Sequence, residues 1–327
     1  MFLVTNMSRF PEKWQTSNGV HGEARTLRAL RQFVCFGPKA DAFIIDCDPW
    51  LTLKLAAIFL VLPFLRRPLI AVDLVLRRPE TSLWDRPRNA VKRFLLSRVD
   101  HFVHYFKDLR GYEHYFGIGP NRSSYVPFKP NIRDSHSLAP DSDGAYVLCF
   151  GRSLRDYDTF LEAMTRIPYP GAISRPNFLS LKLHGSRFTC PLERLPKNVE
   201  MLEDNGSTKA LIQIIGNARV VVLPILAKSL VASGVGTYLD SMYMGKCVIL
   251  TDGPGCSDIL TDNQCLFVPP EDSDALAQMI CRAWEDDGLR KETAKRGHEY
   301  ASALGGEPEL RQRVLEKTIA YLQTRNR

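Results

Sequence analysis

The chain carries the stretch ASGVGTYLDSM at residues 232–242, between an apolar run at 220–223 and a helical pattern. Gly234 and Gly236 let backbone N–H groups approach an anion closely. Thr237 stands at the predicted helix start, where its hydroxyl and the helix dipole both favour a phosphate. A strand, a glycine turn and a helix in this order predict an α/β fold, whose ligands bind beyond the carboxyl ends of the strands.

Asp240 lies about one helical turn after the glycines. A carboxylate there can accept both vicinal hydroxyls of a ribose, as the acidic residue of dinucleotide-binding folds does. The alternative is a glycine-rich turn capped by Thr237, with Asp240 favouring the positive end of the helix. The stretch alone leaves both interpretations open.

A second glycine turn precedes the first along the chain, where residues 150–157 read FGRSLRDY directly after a predicted strand. Gly151 permits a tight exit from the strand. Arg152 and Arg155 follow it, and guanidinium groups offer paired donors to the oxygens of a diphosphate. The spacing is a weak signal by itself, because exposed arginines are common in proteins.

Apolar strand-like runs alternate with helical stretches almost throughout, which predicts two Rossmann-like, doubly wound α/β domains facing a cleft. We assign residues 1–135 to an N-terminal acceptor-binding domain and 136–305 to a C-terminal donor-binding domain. Residues 306–327 form a C-terminal helix that packs back on the N-terminal domain. The predicted elements include a helix near 22–33, a linker at 129–144 and a strand at 179–183.

Composition narrows the function classes. The chain is 45% hydrophobic and 24% charged, as in ordinary globular proteins. Between residues 51 and 133 there are 15 Lys and Arg against 6 Asp and Glu, so the first half is basic. We expect an anionic partner, but no nucleic acid, because the basic excess lacks a recognisable recognition module. The eight cysteines show no metal-ligand spacing, and most are expected to be buried and reduced.

The segment from Leu55 to Leu65 is apolar on every side and is bracketed by Lys54 and by Arg66 and Arg67. Its 11 residues are too short to span a bilayer, which needs about 20. The segment is either a core helix, a protein contact, or a membrane-interface segment with the arginines at the headgroups.

From residue 146 onward the sequence resembles the C-terminal domain of glycosyltransferase family 4, which has the GT-B fold. The pieces that carry the resemblance come in the family's order: GRSLRDYDTFLEA at 151–163, KLHGS at 182–186, ARVVVLP at 218–224, SGVGTYLDSMYMGKCVI at 233–249, TDGPGCSD at 251–258 and LFVPPEDSDAL at 266–276.

The resemblance implies roles for residues of this domain. Arg152, and Arg155 in place of the family's usual lysine, would hold the donor diphosphate. The family's pair of acids falls on Ala232 and Asp240, so the ribose contact is retained and the acid expected to grip the donor sugar is absent. The remaining donor contacts are Gly151, Ser233, Gly234, Val235, Gly236 and Thr237.

The first half matches the family more loosely. Residues 4–6, 10–11 and 18–21 resemble its opening strand and glycine loop, which puts Gly19 near the donor phosphate. Asp73 stands where many members carry a histidine that contacts the donor sugar; alternatively it is a polar residue that ends a strand. His21 is either a general base or a residue of acceptor contact or loop packing. The D-x-D letters of residues 46–48 lie away from the arginines, so we expect no metal and no cofactor.

The resemblance implies a bacterial, membrane-associated retaining glycosyltransferase that moves a sugar from a nucleoside-diphosphate-sugar to an acceptor hydroxyl. The acceptor is expected to be lipid-linked, as in glycolipid or exopolysaccharide synthesis, and the location cytoplasmic, on the inner face of the cell membrane. The alternatives are a GT-B epimerase or phosphorylase and a non-catalytic nucleotide-sugar-binding protein.

Overall fold

The computed structural model describes residues 1–79, 85–133 and 144–325. It divides the chain into two compact units, Met1–Pro127 together with Pro308–Arg327, and Phe128–Glu307. The predicted domain boundary at 135 and most of the predicted linker lie outside the described residues. Each unit contains one mainly parallel sheet with helices, so the two Rossmann-like domains predicted from the sequence are confirmed.

The described residues of unit 1 form seven strands and four α-helices before the chain enters unit 2. The strands are β1 (Phe2–Thr5), β2 (Lys13–Gln15), β3 (His21–Thr26), β4 (Ala42–Asp46), β5 (Leu69–Val72), β6 (His101–His104) and β7 (Ser123–Tyr125). The helices are α1 (Leu30–Phe36), α2 (Pro49–Val61), α3 (Asp85–Leu96) and α4 (Arg110–Phe116).

In the part of unit 2 that the structure describes there are six strands and six α-helices. The strands are β8 (Tyr146–Cys149), β9 (Gly171–Ser174), β10 (Val199–Leu202), β11 (Ala218–Leu223), β12 (Cys247–Thr251) and β13 (Leu266–Val268). The helices are α5 (Tyr157–Met164), α6 (Phe178–Leu183), α7 (Thr208–Gly216), α8 (Val235–Tyr243), α9 (Ser273–Glu285) and α10 (Asp287–Ala303). The last described helix is α11 (Glu307–Arg325), most of which belongs to unit 1.

The sheet of unit 1 has the order β2-β3-β1-β4-β5-β6-β7, and only β2 runs antiparallel to its neighbour. The helix predicted near 22–33 is wrong: its first part is β3, and α1 begins only at Leu30. The reason is strand pairing between segments that are distant in sequence. β3 pairs with both β1 and β2, and a side chain at Gly22 would collide with the carbonyl oxygen of Met1 and the ring of Trp14.

α11 is bound to unit 1 along its length. Arg311 Nη1 lies 3.6 Å from a carboxylate oxygen of Asp46 at the end of β4, and the ring of Tyr321 stacks on His101 with centroids 4.5 Å apart. Its inner face buries five large apolar side chains: Leu310, Val314, Leu315, Ile319 and Leu322.

The sheet of unit 2 is entirely parallel, in the order β10-β9-β8-β11-β12-β13. Alternate residues of β8 enter different cores: Val147 and Cys149 pack in one cluster, and Tyr146 and Leu148 in the other. Helices cover both faces of this sheet, which makes unit 2 doubly wound.

The strand predicted at 179–183 is wrong, because these residues form α6. Asn177 caps this helix, with its side-chain oxygen accepting a hydrogen bond from the Ser180 N–H at 2.9 Å. The strand of this region is β9, whose short sequence GAIS gave little signal. The expectation for cysteines is confirmed for Cys149, Cys247, Cys256 and Cys265, which are buried, and wrong for the exposed Cys35 and Cys47.

Candidate functional site

The loop after β8 is held in an unusual backbone path. Gly151 has φ of 102°, and Leu154 adopts the left-handed region at 51°. Ser186 holds this loop from the side, since its hydroxyl donates to the Arg152 carbonyl at 2.7 Å and accepts from the Arg155 N–H at 2.9 Å. The loop is therefore fixed at the carboxyl end of the sheet, where the sequence predicted a ligand site.

Arg155 is 1% exposed, and the two predicted glycine turns meet at its guanidinium. Its Nε donates to the Phe150 carbonyl at 2.8 Å and its Nη1 to that of Ser153 at 3.3 Å. A side-chain carbon at Gly151 would lie 2.7 Å from Nη2, and one at Gly234 would collide with the same group. The structure thus brings Gly151, Arg155 and Gly234 together.

No carboxylate pairs with Arg155 among the residues that the structure describes. Burial lowers the pKa of its guanidinium, because the charged form loses hydration. Carbonyl oxygens compensate only part of the charge, so the turns enclose a cation that an anion would stabilise. Arg152, three residues earlier, is exposed, and the described residues give its side chain no hydrogen bond or ion pair.

Helix α8 begins at Val235, two residues before the Thr237 start that the sequence predicted. Gly234, with φ of 83°, occupies the capping position, and Ser233 is buried with its hydroxyl 3.0 Å from that of Ser229. The first turn of a helix lacks helical acceptors for its N–H groups. Gly236 and Thr237 lie in that turn and are half-buried, next to the Arg155 guanidinium that contacts Gly234.

Asp240 is 3% exposed, and its carboxylate binds the chain itself. One oxygen accepts the N–H groups of Asn131 at 2.5 Å and Ile132 at 3.2 Å, and the other accepts the Asn131 side-chain amide at 3.2 Å. Burial raises the pKa of Asp240, and the hydrogen bonds from Asn131 and Ile132 oppose that rise. The ribose contact of Asp240 stays a prediction, and three acceptor positions are already used.

Asn131 is a residue of this region that the sequence analysis missed, because it lies in the predicted linker. Its side-chain amide packs on Gly236, where a side-chain carbon would lie 2.5 Å from its nitrogen. Its amide oxygen accepts from Lys129 Nζ at 3.1 Å, and Lys129 pairs with Glu307 at 3.1 Å. Residues 128–132 are therefore part of the wall around the first turn of α8.

The position of the absent acid is closely packed. A side-chain carbon at Gly255, which has φ of 80°, would collide with the backbone and side chain of Ala232. The carbonyl of Gly255 also accepts the Tyr238 hydroxyl at 2.8 Å. A turn of the chain thus lies against Ala232, on at least one side of the position where the family pattern has an acid.

The candidate site residues of unit 1 do not lie at the same edge of its sheet. The β1–β3 register places Gly19 and His21 at the amino ends of parallel strands, because Glu23 pairs with Phe2. Asp73 follows β5 at the opposite, carboxyl edge, next to Cys47 after β4. A shared catalytic role for His21 and Asp73 is therefore not supported by the structure.

Asp73 has an unusual backbone conformation and a shifted pKa. Its backbone is left-handed, with φ of 45°, and its N–H donates to the Val103 carbonyl at 2.8 Å. Burial and the nearby charge of Asp46 raise the pKa of Asp73 to about 7. A carboxyl group that exchanges its proton near neutral pH can accept or donate a hydrogen bond to a hydroxyl ligand. Among the described residues no three His, Cys, Asp or Glu side chains are grouped as a metal site.

Comparison with known proteins relates one part of the chain to a described family. Residues 144–286 match the family model described as Glycosyl transferases group 1. This range contains both glycine turns, Arg152, Arg155 and α8. The chain therefore has the GT-B fold, and its residues 144–286 form a group 1 glycosyltransferase domain.

Solved structures with the same fold cover nearly the whole chain. Anabaena HepE in complex with UDP is similar with a TM-score of 0.65 and 15% identity, over 91% of this chain and 86% of that one. A glycosyltransferase from Rickettsia africae gives 0.65 and 13%, over 92% and 85%. Sucrose-phosphate synthase from Thermosynechococcus elongatus gives 0.63 and 16%, over 99% and 88%. No curated protein matches the sequence significantly.

Proposed function

We propose that this glycosyltransferase is a retaining enzyme of family 4 that moves a sugar from a nucleoside-diphosphate-sugar to an acceptor hydroxyl. The observation that carries the proposal is the buried Arg155 guanidinium, which lies between the two glycine turns without a carboxylate partner in the described chain. A diphosphate at the start of α8 would compensate this charge and accept the first N–H groups of the helix.

The proposed reaction needs no metal or cofactor. The acceptor oxygen forms a bond to the anomeric carbon on the face from which the diphosphate departs. The bond between that carbon and the diphosphate oxygen breaks, and its electron pair leaves with the diphosphate. The departing oxygen takes the acceptor proton, while Arg152, Arg155 and the first turn of α8 stabilise the developing negative charge.

The donor nucleotide is tested by thermal unfolding of the full chain with UDP, GDP and ADP. UDP is the first choice, because it is bound in the similar HepE structure. The right nucleotide at 100 times its Kd adds about 2.7 kcal/mol of stability. No shift with any of the three would contradict the donor site.

Catalysis is tested with Arg152→Ala. Because the Arg152 side chain is exposed and makes no described contact, the variant should fold normally and lose two or more orders of magnitude in turnover. Unchanged turnover would contradict the proposed role of Arg152 in stabilising the departing diphosphate. Nucleotide binding without transfer to any acceptor would favour the alternative of a binding protein, which is supported by the absence of an acid at Ala232.

We also propose that the enzyme works in the cytoplasm on the inner face of the cell membrane, with a lipid-linked acceptor. The basic excess between residues 51 and 133 supports this location, because that leaflet is anionic. No described helix is long and apolar enough to cross a membrane.

A further inference from the structure

Unit 1 exposes large apolar side chains at α2 and in the turn that follows it. Trp50 is 74% exposed, Val61 75% and Phe64 71%. Leu60 and Leu62 between them are also exposed. Single exposed apolar residues are normal on protein surfaces, but a group on one element marks an interaction surface.

The geometry of α2 puts Trp50 and Val61 on one stripe, and Phe64 lies in the turn that follows the helix. Trp50 and Val61 are 11 positions apart, which is about three turns, so they face the same way. The opposite side carries Leu51, Leu55 and Phe59, which are buried. The apolar segment predicted from the sequence is thus half core helix and half exposed surface.

The membrane-interface alternative places Arg66 and Arg67 at the headgroups, but in the structure both bind groups of unit 1. Arg66 pairs with Asp100 at 3.1 Å. Arg67 donates to backbone carbonyls, including those of Ala40 at 3.0 Å and Arg66 at 2.8 Å. These side chains hold the turn in place, so the charge for a membrane contact has to come from elsewhere.

That charge lies on α3, which packs beside α2. α3 buries only Leu96 fully, and it exposes Arg86, Arg88 and Arg93 together with Val91 and Phe94. Helix α3 contains four Lys and Arg against one acid, Asp85. An apolar stripe beside a basic helix is the arrangement expected of a lipid-binding surface.

We propose that α2, the turn at 62–64 and α3 form a lipid-docking surface, in which Trp50, Val61 and Phe64 enter the interface of an anionic bilayer. The exposed arginines of α3 bind the headgroups. A second copy of the chain fits this surface poorly, because a symmetric contact would bring the basic residues of both copies together. The inference deepens the proposed membrane association, and its test does not use the transfer reaction.

The test measures cosedimentation of the full chain with vesicles. One set contains phosphatidylcholine alone, and the other an equimolar mixture with phosphatidylglycerol. We expect binding to the anionic vesicles at low salt and much weaker binding at high salt, because screening weakens the attraction to the headgroups. No binding to anionic vesicles at low salt overturns the proposal, and so does equal binding to both vesicle types.

The apolar part is tested with Val61→Ser combined with Phe64→Ser, which should weaken binding about tenfold, since two large side chains no longer enter the interface. The matched control is Leu179→Ser with Leu183→Ser on α6, which are 70% and 63% exposed in unit 2. Equal binding of the Val61/Phe64 variant and the wild type overturns the proposal. So does an equal loss in the control.

The charged part is tested with Arg86→Gln and Arg88→Gln, and each substitution should weaken binding about fivefold. Lys197→Gln with Lys209→Gln, which are exposed on unit 2, is the matched control. Sedimentation velocity of every variant without vesicles checks for self-association. Conversion of a wild-type dimer to a monomer by Val61→Ser with Phe64→Ser would assign the surface to a second copy and overturn the proposal.

Thermal shift with UDP, measured on the same variants without vesicles, separates this proposal from the proposed function. Loss of vesicle binding with a normal UDP shift is consistent with the proposed donor site. Vesicle binding without any nucleotide shift leaves the docking surface standing and contradicts the donor assignment.

Discussion

Arg155 has two roles that a substitution can separate. It holds the loop after β8 in place, and it is proposed to bind the diphosphate next to the glycine turns. In Arg155→Lys the positive charge is kept, and the paired bonds to the Phe150 and Ser153 carbonyls are lost. We expect a loss of about 1–2 kcal/mol in the free energy of unfolding and about tenfold in UDP affinity. Urea unfolding and isothermal titration calorimetry measure the two effects.

Arg187→Lys is the matched control for this variant. Arg187 binds both carboxylate oxygens of buried Asp156, at 2.9 and 2.6 Å, and so also braces the start of α5. Arg187→Lys should lower the free energy of unfolding and leave the UDP affinity unchanged. If Arg155→Lys behaves in the same way, Arg155 only braces the loop and does not bind the diphosphate.

His101 and His104 of β6 make stability depend on pH. Burial lowers the pKa of His101 to about 4 and that of His104 to about 3. In the unfolded chain a histidine takes up a proton near pH 6.5, so the stability present above that pH is lost as the pH falls towards 4. For His104 the loss at pH 5 is roughly 2 kcal/mol.

The measurement is urea unfolding at pH 7 and pH 5 for the wild type, His104→Leu and the exposed control His114→Leu. His104→Leu should be less sensitive to the change of pH, and the control should match the wild type. Asp73 acts in the opposite direction, because its raised pKa favours the folded state at low pH, and its effect is the same in all three proteins. An equal pH dependence in all three would contradict the assignment to His104.

At the scale of elements, the role of α8 depends on whether Asp240 reaches a ribose. A carboxylate has about four acceptor positions, and Asn131 and Ile132 use three of them. One ribose hydroxyl fits the remaining position, whereas two require Asn131 to move. We expect the wild type to bind 2′-deoxy-UDP about tenfold more weakly than UDP. The Asp240→Asn variant should bind the two nucleotides with the same affinity.

Titration calorimetry of both nucleotides with both proteins gives the coupling between Asp240 and the hydroxyl directly. Asn131→Ala serves as the comparison, because it removes one donor to Asp240 and leaves the carboxylate in place. If the wild type does not distinguish the two nucleotides, Asp240 holds residues 131–132 and does not bind the 2′-hydroxyl of the ribose.

Local sequence predicted α8 and the loop after β8 well, because a glycine directly after an apolar run is typical of a tight turn at the end of a strand. It failed where distant residues decide the structure. β3 is a strand since β1 and β2 pair with it, and no local pattern reveals that pairing. In α6 the apolar run resembles a short strand, and the local signal for a helix is the cap at Asn177. Asn131 was missed because its partner, Asp240, lies 109 positions away.

At the scale of the whole molecule, the chain completes unit 1 only with its last helix. Residues 308–325 of α11 follow all of unit 2 in sequence, yet their apolar face is buried in unit 1. Unit 2 has its own two cores, formed by residues between Tyr146 and Leu304. Damage to α11 should therefore affect the stability of unit 1 and leave nucleotide binding by unit 2 intact.

Leu315→Ala tests this division, because Leu315 is fully buried in the middle of α11. We expect a loss of about 2–5 kcal/mol of stability, from the missing apolar contacts and the cavity left behind. Limited proteolysis should then cut unit 1 sooner, while the remaining unit 2 fragment still binds UDP. Gln323→Ala, on the exposed side of the same helix, is the control and should change neither property. Loss of UDP binding by the unit 2 fragment would show that its donor site depends on an intact unit 1.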